Sequence, residues 1–297
     1  MDEMEIINNS PVVEFYSGKT VFITGATGFM GKVLVEKLLR STNVKAIYLL
    51  IRPKKGVQTE LRLKTLLESL VFDRIKELDI NHLNKVVAIN GDITEENFGL
   101  DEESRGLLAE NVNIVFHSAA TIRFDEDLDK SVSMNIKAVS TVLSLAREMK
   151  HLEALVDVST AYCNCDLKYI EEKIYKAPVD PRAIIDLCRV LDAEMLNRPE
   201  ISSIVIGDKP NTYTFTKALA ENILAVEGKG LPIAIIRPSI VAAAWRDPFP
   251  GEKIILKFRA HICTCIGYIL GWVDNFNAAT GVLAGAGKGI MRTAFIR

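Results

Sequence analysis

Cysteine is scarce in this chain: five in 297 residues, an odd number and without a CxxC pair. That excludes a disulfide scaffold and points to a reducing compartment. Cys163-x-Cys165 and Cys263-x-Cys265 do not have ligand spacing, so no metal site is expected. An excess of one charge is also missing. Lys and Arg number 36 against 38 Asp and Glu, a net charge of −2. No global basic field is present to hold nucleic acid. Long uncharged apolar runs are absent too. The best candidate, residues 254–272, is broken by Lys257, Arg259 and His261, whereas a spanning helix needs about 20 mostly uncharged residues. No transmembrane segment is expected. The first residues, Met1-Asp-Glu-Met-Glu, are acidic and lead into no apolar core, which excludes a secretory signal. Internal repeats, low-complexity tracts and linkers are lacking.

What is present is ordinary globular material, 48% apolar and 25% charged. It suffices for one large domain, or for one domain and part of another. Thr20-Val-Phe-Ile23 is a short β-branched run that ends at a glycine turn and reads as a buried parallel strand. Further strands are predicted over residues 46–51, 86–89, 112–116, 154–158 and 233–236. Helical spacing covers 32–39, 61–78 as one helix or a pair, 131–149, and 213–226. Alternating strands and helices predict an α/β fold, a Rossmann-like doubly wound parallel sheet with helices on both faces. Polar residues and glycines cluster at strand C-terminal ends, the edge where such sheets bind ligands.

The first strand end carries Thr24-Gly-Ala-Thr-Gly28-Phe-Met-Gly31. Gly25, Gly28 and Gly31 give the tight turn, the close approach of a pyrophosphate, and close packing of helix on strand. The helix start offers free N–H groups and the positive dipole end. Thr24, Thr27, Phe29 and Met30 complete this lobe of a dinucleotide site. At the second strand end an Asp or Glu would bond a ribose 2′-hydroxyl. Here stands Arg52-Pro-Lys54-Lys55. Arg52 can stack on adenine or pair with a 2′-phosphate, and Lys54 or Lys55 adds charge, so NADP(H) is the expected cofactor. Asp92, followed by Ile93, can accept from the adenine amino group or cap a helix. Ser118 and Ala119, after the fourth strand, are expected to pack their backbone on the cofactor. Pro238, with Ser239 and Ile240, is expected to meet the nicotinamide carboxamide. Asn135 could tie its helix to a strand end. His117 reads as a buried, satisfied histidine.

Tyr213 and Lys217 lie one helical turn apart and share a face. A phenol has a pKa near 10, and a nearby ammonium lowers it, so the phenol can exchange a proton near neutrality. Lys217 can also hold the nicotinamide ribose. Ser159 or Thr160, at a neighbouring strand end, can bond the substrate oxygen. The candidate catalytic set is therefore Tyr213, Lys217, Thr160 and Ser159.

In this order the motifs resemble the extended short-chain dehydrogenase/reductases and, within them, the fatty acyl-CoA reductases of the insect branch. The resemblance rests on Thr24–Gly31, Phe116-His-Ser-Ala-Ala-Thr-Ile-Arg-Phe-Asp125, Val158-Ser-Thr-Ala-Tyr-Cys-Asn164, Pro210-Asn-Thr-Tyr-Thr-Phe-Thr-Lys-Ala-Leu-Ala-Glu221 and Ile236-Arg-Pro-Ser-Ile-Val241. It covers roughly residues 10–251 and resumes at 272. It implies NADPH-dependent reduction of long-chain fatty acyl-CoA to the alcohol through an aldehyde, with release of coenzyme A. Thr160 matches the family's hydroxyl position best, with Ser159 beside it. The resemblance also implies a cytosol-facing enzyme of the endoplasmic reticulum or peroxisome membrane, attached through a C-terminal region. Rival readings are an extended-family enzyme acting on a nucleotide sugar or sterol, and a non-catalytic dinucleotide-binding protein.

Two departures set the expected boundaries. The family runs Pro-Gly directly into Trp-x-Asp-Asn, but here Pro250-Gly251 and Trp272-Val-Asp-Asn275 are separated. The ends of the intervening segment can be back-translated with intron donor and acceptor signals. Residues 252–271 therefore read as an unspliced intron or a substrate-lid insertion. The chain also ends at Arg297, where the family continues, and is expected to be a fragment. Its expected parts are an N-terminal extension (1–15), a reductase domain (16–251), the insertion (252–271) and a truncated substrate-side segment (272–297).

Overall fold

The computed structural model describes residues 11–239 and residue 241. The sequence-based readings for residues 252–297, for Ile240 and for residues 1–10 lie outside the described residues.

The chain alternates as its periodicity predicts. A short helix α1 (Pro11–Tyr16) leads into β1 (Thr20–Thr24), whose five residues are all buried. The glycine turn then opens α2 (Phe29–Ser41). Next come β2 (Ala46–Ile51), α3 (Thr59–Glu68), α4 (Asp73–Asp79) and β3 (Val86–Asn90). The second half begins with α5 (Glu102–Asn111) and β4 (Ile114–His117). There follow α6 (Leu128–Val132), a π turn at Ser133–Lys137, α7 (Ala138–Glu148) and β5 (Ala154–Val158). Three helices then precede the Tyr–Lys helix: α8 (Pro181–Val190), α9 (Ala193–Leu196) and α10 (Pro199–Ile206). The Tyr–Lys helix is α11 (Thr212–Glu227), and β6 (Ile233–Ile236) closes the series.

Among the described residues the six strands pair in parallel, in the order β3-β2-β1-β4-β5-β6. The order reverses between β1 and β4, and a crevice opens at such a reversal, outside the strand C-termini. Two apolar cores cover the two faces. Val21, Ile23, Ile114 and Phe116 pack in one core with α2, α3 and α4 residues such as Leu39, Leu66 and Ile75. Phe22 and Val115 pack in the other with Leu108, Val142, Phe215 and Leu219 of α5, α7 and α11. Side chains of a strand alternate between faces, so burial on both faces produces continuous apolar runs rather than alternation.

The structure refines two helix predictions and one strand prediction. The stretch 61–78 divides into α3 and α4 around a short turn at Leu70–Phe72. The stretch 131–149 begins at Leu128 and is interrupted by the π turn. The fourth strand is displaced to 114–117, because Val112 caps α5, its N–H bonding Leu108 O.

Candidate active site

The turn after β1 has no room for side chains. Gly25 has φ +79°, and a Cβ there would lie 2.6 Å from Ala119 N and 2.7 Å from Ser118 C. A Cβ on Gly31 would lie 2.3 Å from Gly25 O. The backbone after β4 is thus pressed against the turn, and α2 is pressed against the turn's other side. Gly28 precedes α2 without a side-chain cap. The first N–H groups of the helix are left for a ligand, and the dipole favours an anion there. A cleft of about 1020 Å³ runs from this turn to Tyr213 and Lys217. Turn, helix start and cleft together fit a dinucleotide pyrophosphate.

Thr27, Phe29 and Met30 line the cleft beside the glycines. Thr24 does not line it. Its side chain is fully buried, 2.8 Å from His117 Nδ1, and accepts from Ala119 N at 3.3 Å. Thr24 therefore fixes the backbone that closes on Gly25 rather than touching a ligand, which corrects its place in the cofactor set.

At the other end of the cleft stand Arg52, Lys54, Asp92 and Ile93. Asp92 is not a helix cap. One carboxylate oxygen accepts from Arg52 Nη1 at 2.7 Å, and the other from Thr94 N and Oγ1 at 3.0 and 2.9 Å. These bonds hold its carboxyl below the ordinary range against an opposing effect of burial. Arg62 of α3 reaches the same wall and donates to Arg52 O. Its pKa is lowered by burial and by the neighbouring Arg52 charge. Three cationic side chains thus line this end, one of them tethered to Asp92.

The chemical end is built by β5 and α11. Asn211 Oδ1 accepts from Thr214 N at 2.9 Å and caps α11. Tyr213 comes from the first turn of this helix, with Thr160 as its hydrogen-bonding neighbour. Burial raises the Tyr213 pKa, while the Thr160 hydrogen bond pulls it down. Lys217 is buried, and its Nζ donates to Val158 O at 2.8 Å. The expectation that Lys217 depresses the Tyr213 phenol is therefore corrected. The ammonium is turned to the end of β5, and desolvation governs the phenol. The two hydroxyl candidates also separate. Thr160 Oγ1 accepts from Tyr162 N at 3.2 Å and meets Tyr213. Ser159 Oγ donates to Glu221 at 2.5 Å, away from the phenol.

Beneath these groups lies a buried polar layer. Arg237 donates to both Glu221 oxygens, at 2.8 and 2.7 Å. Burial pushes the Cys163 thiol, 3.3 Å from Glu221, up to about 12. His117 and Asp157 are register partners on β4 and β5. Burial, and then the Lys217 charge, take His117 down to about 3, so it is neutral as well as buried. Asn135, in the π turn, accepts from Thr121 N at 3.0 Å and donates to Thr216 Oγ1 at 3.0 Å. It ties the loop after β4 to α11.

An NAD-binding family model described as "Male sterility protein" matches residues 23–297. The chain belongs to the male sterility protein family. This family member is similar to Fatty acyl-CoA reductase 1 of Mus musculus, 42% identical over 283 residues, which are 95% of the chain and 51% of that protein. It is also similar to Fatty acyl-CoA reductase 2 of Bos taurus, 44% identical over 285 residues, 96% of the chain and 51% of that protein. The chain spans about half the length of these relatives. Among solved structures, it is similar to the reductase domain of a nonribosomal peptide synthetase from Mycobacterium tuberculosis. That match has a TM-score of 0.53 and 25% identity, covering 76% of this chain and 49% of the other. The terminal R domain from the myxalamid PKS-NRPS biosynthetic pathway shares the fold, with a TM-score of 0.54 and 22% identity over 81% of this chain and 54% of the other. The chain has a Rossmann-like fold of the extended short-chain dehydrogenase/reductase type, with a nicotinamide dinucleotide site.

In this family member Ser118, Ala119, Ser159, Pro238 and Ser239 also line the cleft. Sequence reasoning missed Arg62, which a helix carries back to the end of β2, and Phe124, whose ring centroid lies 5.8 Å from that of Tyr213. It also missed Asp157 and Glu221. The i,i+4 repeat Tyr213, Lys217, Glu221 was the signal available for Glu221. Among the described residues, no helix is long and apolar enough to cross a membrane, and no group of three or more His, Cys, Asp or Glu could hold a metal ion.

Proposed function

We propose that this chain is the NADPH-binding reductase part of an enzyme that reduces long-chain fatty acyl-CoA to the primary alcohol through an aldehyde, releasing coenzyme A. The carrying observation is the convergence of Tyr213, Thr160 and the buried Lys217 on the cleft that starts at the glycine turn. The fatty acyl-CoA reductase relatives support the substrate class. Arg52, Lys54 and Arg62 support the phosphorylated cofactor, since each can meet a 2′-phosphate and, among the described residues at this end of the cleft, the one carboxylate, Asp92, is engaged by Arg52.

Bound NADPH supplies a hydride to the substrate carbonyl. The chain supplies the proton and the orientation. Tyr213, kept neutral by burial, donates its phenolic proton to the developing alkoxide. Thr160 donates to the phenolate that is left, which is the sense in which its hydrogen bond lowers the phenol pKa. Lys217, fixed on Val158 O, places positive charge in the cleft floor, where it would hold the nicotinamide ribose. Ile122 and Phe124, both exposed, give the mouth beside Tyr213 an apolar wall suited to an acyl chain. NADPH oxidation with palmitoyl-CoA, set against UDP-glucose and a sterol, tests the reading. Consumption that depends on the acyl-CoA is expected. Turnover of the sugar nucleotide or sterol instead would replace it.

A further inference from the structure

Lys217 is 2% exposed, in the buried polar layer that floors the cleft. A buried ammonium keeps its charge against desolvation when a negative group stands near it. Two carboxylates do. Glu221, one turn further along α11, is already engaged by Arg237, Ser159 and Cys163. Asp157 is not engaged. It is fully buried, and neither carboxylate oxygen has a hydrogen-bond partner among the described residues. It directly precedes Val158, whose carbonyl holds Lys217. A buried carboxylate without partners is costly, and calls for a reason.

We propose that Asp157 is a positioning residue for the Tyr213–Lys217 pair, its carboxylate acting as the counter-charge in the floor on which both groups depend. The role rests on the reductase reading given above. The facing groups leave this task to Asp157. From β4, His117 is neutral. From α11, Lys217 lowers the Asp157 pKa and Glu221 raises it. Arg237, beyond β6, is spent on Glu221. Cys163 is a neutral thiol. Burial is the largest influence on Asp157 and takes its carboxyl up to about 6. The floor therefore carries the Lys217 charge alone in mild acid, and a balanced pair above neutrality. Burial chiefly holds the Tyr213 phenol up, and the Asp157 charge acts in the same direction, as a proton donor requires.

The test uses Asp157→Asn, which keeps the shape and removes the charge. Thermal unfolding is followed from pH 4 to pH 8 without substrate. The folded pKa of Asp157 lies above its unfolded value, so its contribution to stability is full at low pH and lost as pH rises through about 6. The wild type should lose stability relative to Asp157→Asn across that range. Lys217→Met should move the wild-type step to higher pH, which preserves the test if Asp157→Asn does not fold. In the pH profile of acyl-CoA reduction, Asp157→Asn should move the alkaline limb to lower pH, because the phenol loses a nearby negative charge. Parallel stability profiles, a step that Lys217→Met leaves in place, or an unshifted alkaline limb would each overturn the proposal. A chain that shows the stability step and reduces no acyl-CoA would count against the substrate reading alone.

Discussion

At Tyr213 two influences oppose each other: burial favours the neutral phenol, and the Thr160 hydroxyl favours the phenolate. Burial leads, so the side chain is set up to give a proton rather than to take one, the direction a reduction needs. Tyr213→Phe removes that proton while leaving the cleft walls in place. It should lower acyl-CoA reduction by about 10²–10⁴-fold with NADPH affinity nearly unchanged, measured by steady-state kinetics beside fluorescence titration. Thr160 and Ser159 should differ although they are neighbours. Thr160→Ala should reduce kcat, with a stability cost near the roughly 1 kcal/mol of a lost cap, since Thr160 Oγ1 accepts from Tyr162 N. Ser159→Ala takes a donor from buried Glu221 and should cost stability, by about 1–3 kcal/mol, with a smaller effect on kcat. Denaturant unfolding and kinetics on both variants check the contrast. The equal standing of the two hydroxyls in the sequence reflects their adjacency; which one turns to the phenol depends on Glu221, 62 positions away.

The elements place these side chains through a few non-local bonds. Asn211 caps α11 at its active end, and Asn135 in the π turn bonds both Thr121 and Thr216. Asn211→Ala should cost about 1 kcal/mol, the usual loss of a cap. Thr216 Oγ1 would keep its bond to Thr212 O, but Asn135→Ala takes the acceptor from buried Thr121 N and should cost about 1–3 kcal/mol. Because it frees the loop after β4 as well, it should also lower kcat, and denaturant curves with activity assays would show both. The strands and the glycine turn were legible in the sequence because each follows a local rule: apolar runs for strands buried on both faces, and glycine where a Cβ meets backbone. The π turn was not legible, since its irregularity accompanies partners 14 and 81 positions from Asn135. Helices α8 to α10 were overlooked, although Asp180 and Asp192 cap their starts with Pro181 at a first helical position. Arg62 was hidden because only the return of α3 to β2 brings it to the cleft.

On the scale of the whole molecule, the cleft joins a cationic end to a proton-donating end across the reversal of the sheet order. The cationic end governs cofactor choice. Arg62→Ala or Lys54→Ala should weaken NADPH by about 1.5–3 kcal/mol, roughly 10–100-fold, and leave NADH little changed. Arg52→Ala carries the same sign, although its bond to Asp92 must be exchanged for the phosphate. Titration of both cofactors with each variant reads this directly. The general dinucleotide site was legible in the sequence, whereas the tether between Arg52 and Asp92 and the desolvation of Tyr213 needed the folded cleft. The measurement that bears most directly on the whole account is NADPH oxidation by the full-length protein with palmitoyl-CoA, with release of the coenzyme A thiol followed in the same reaction and Tyr213→Phe run beside it. The account predicts NADPH loss and thiol release together, and the loss of both in Tyr213→Phe. Undiminished acyl-CoA reduction in Tyr213→Phe, or NADPH oxidation that ignores the thioester, would contradict it.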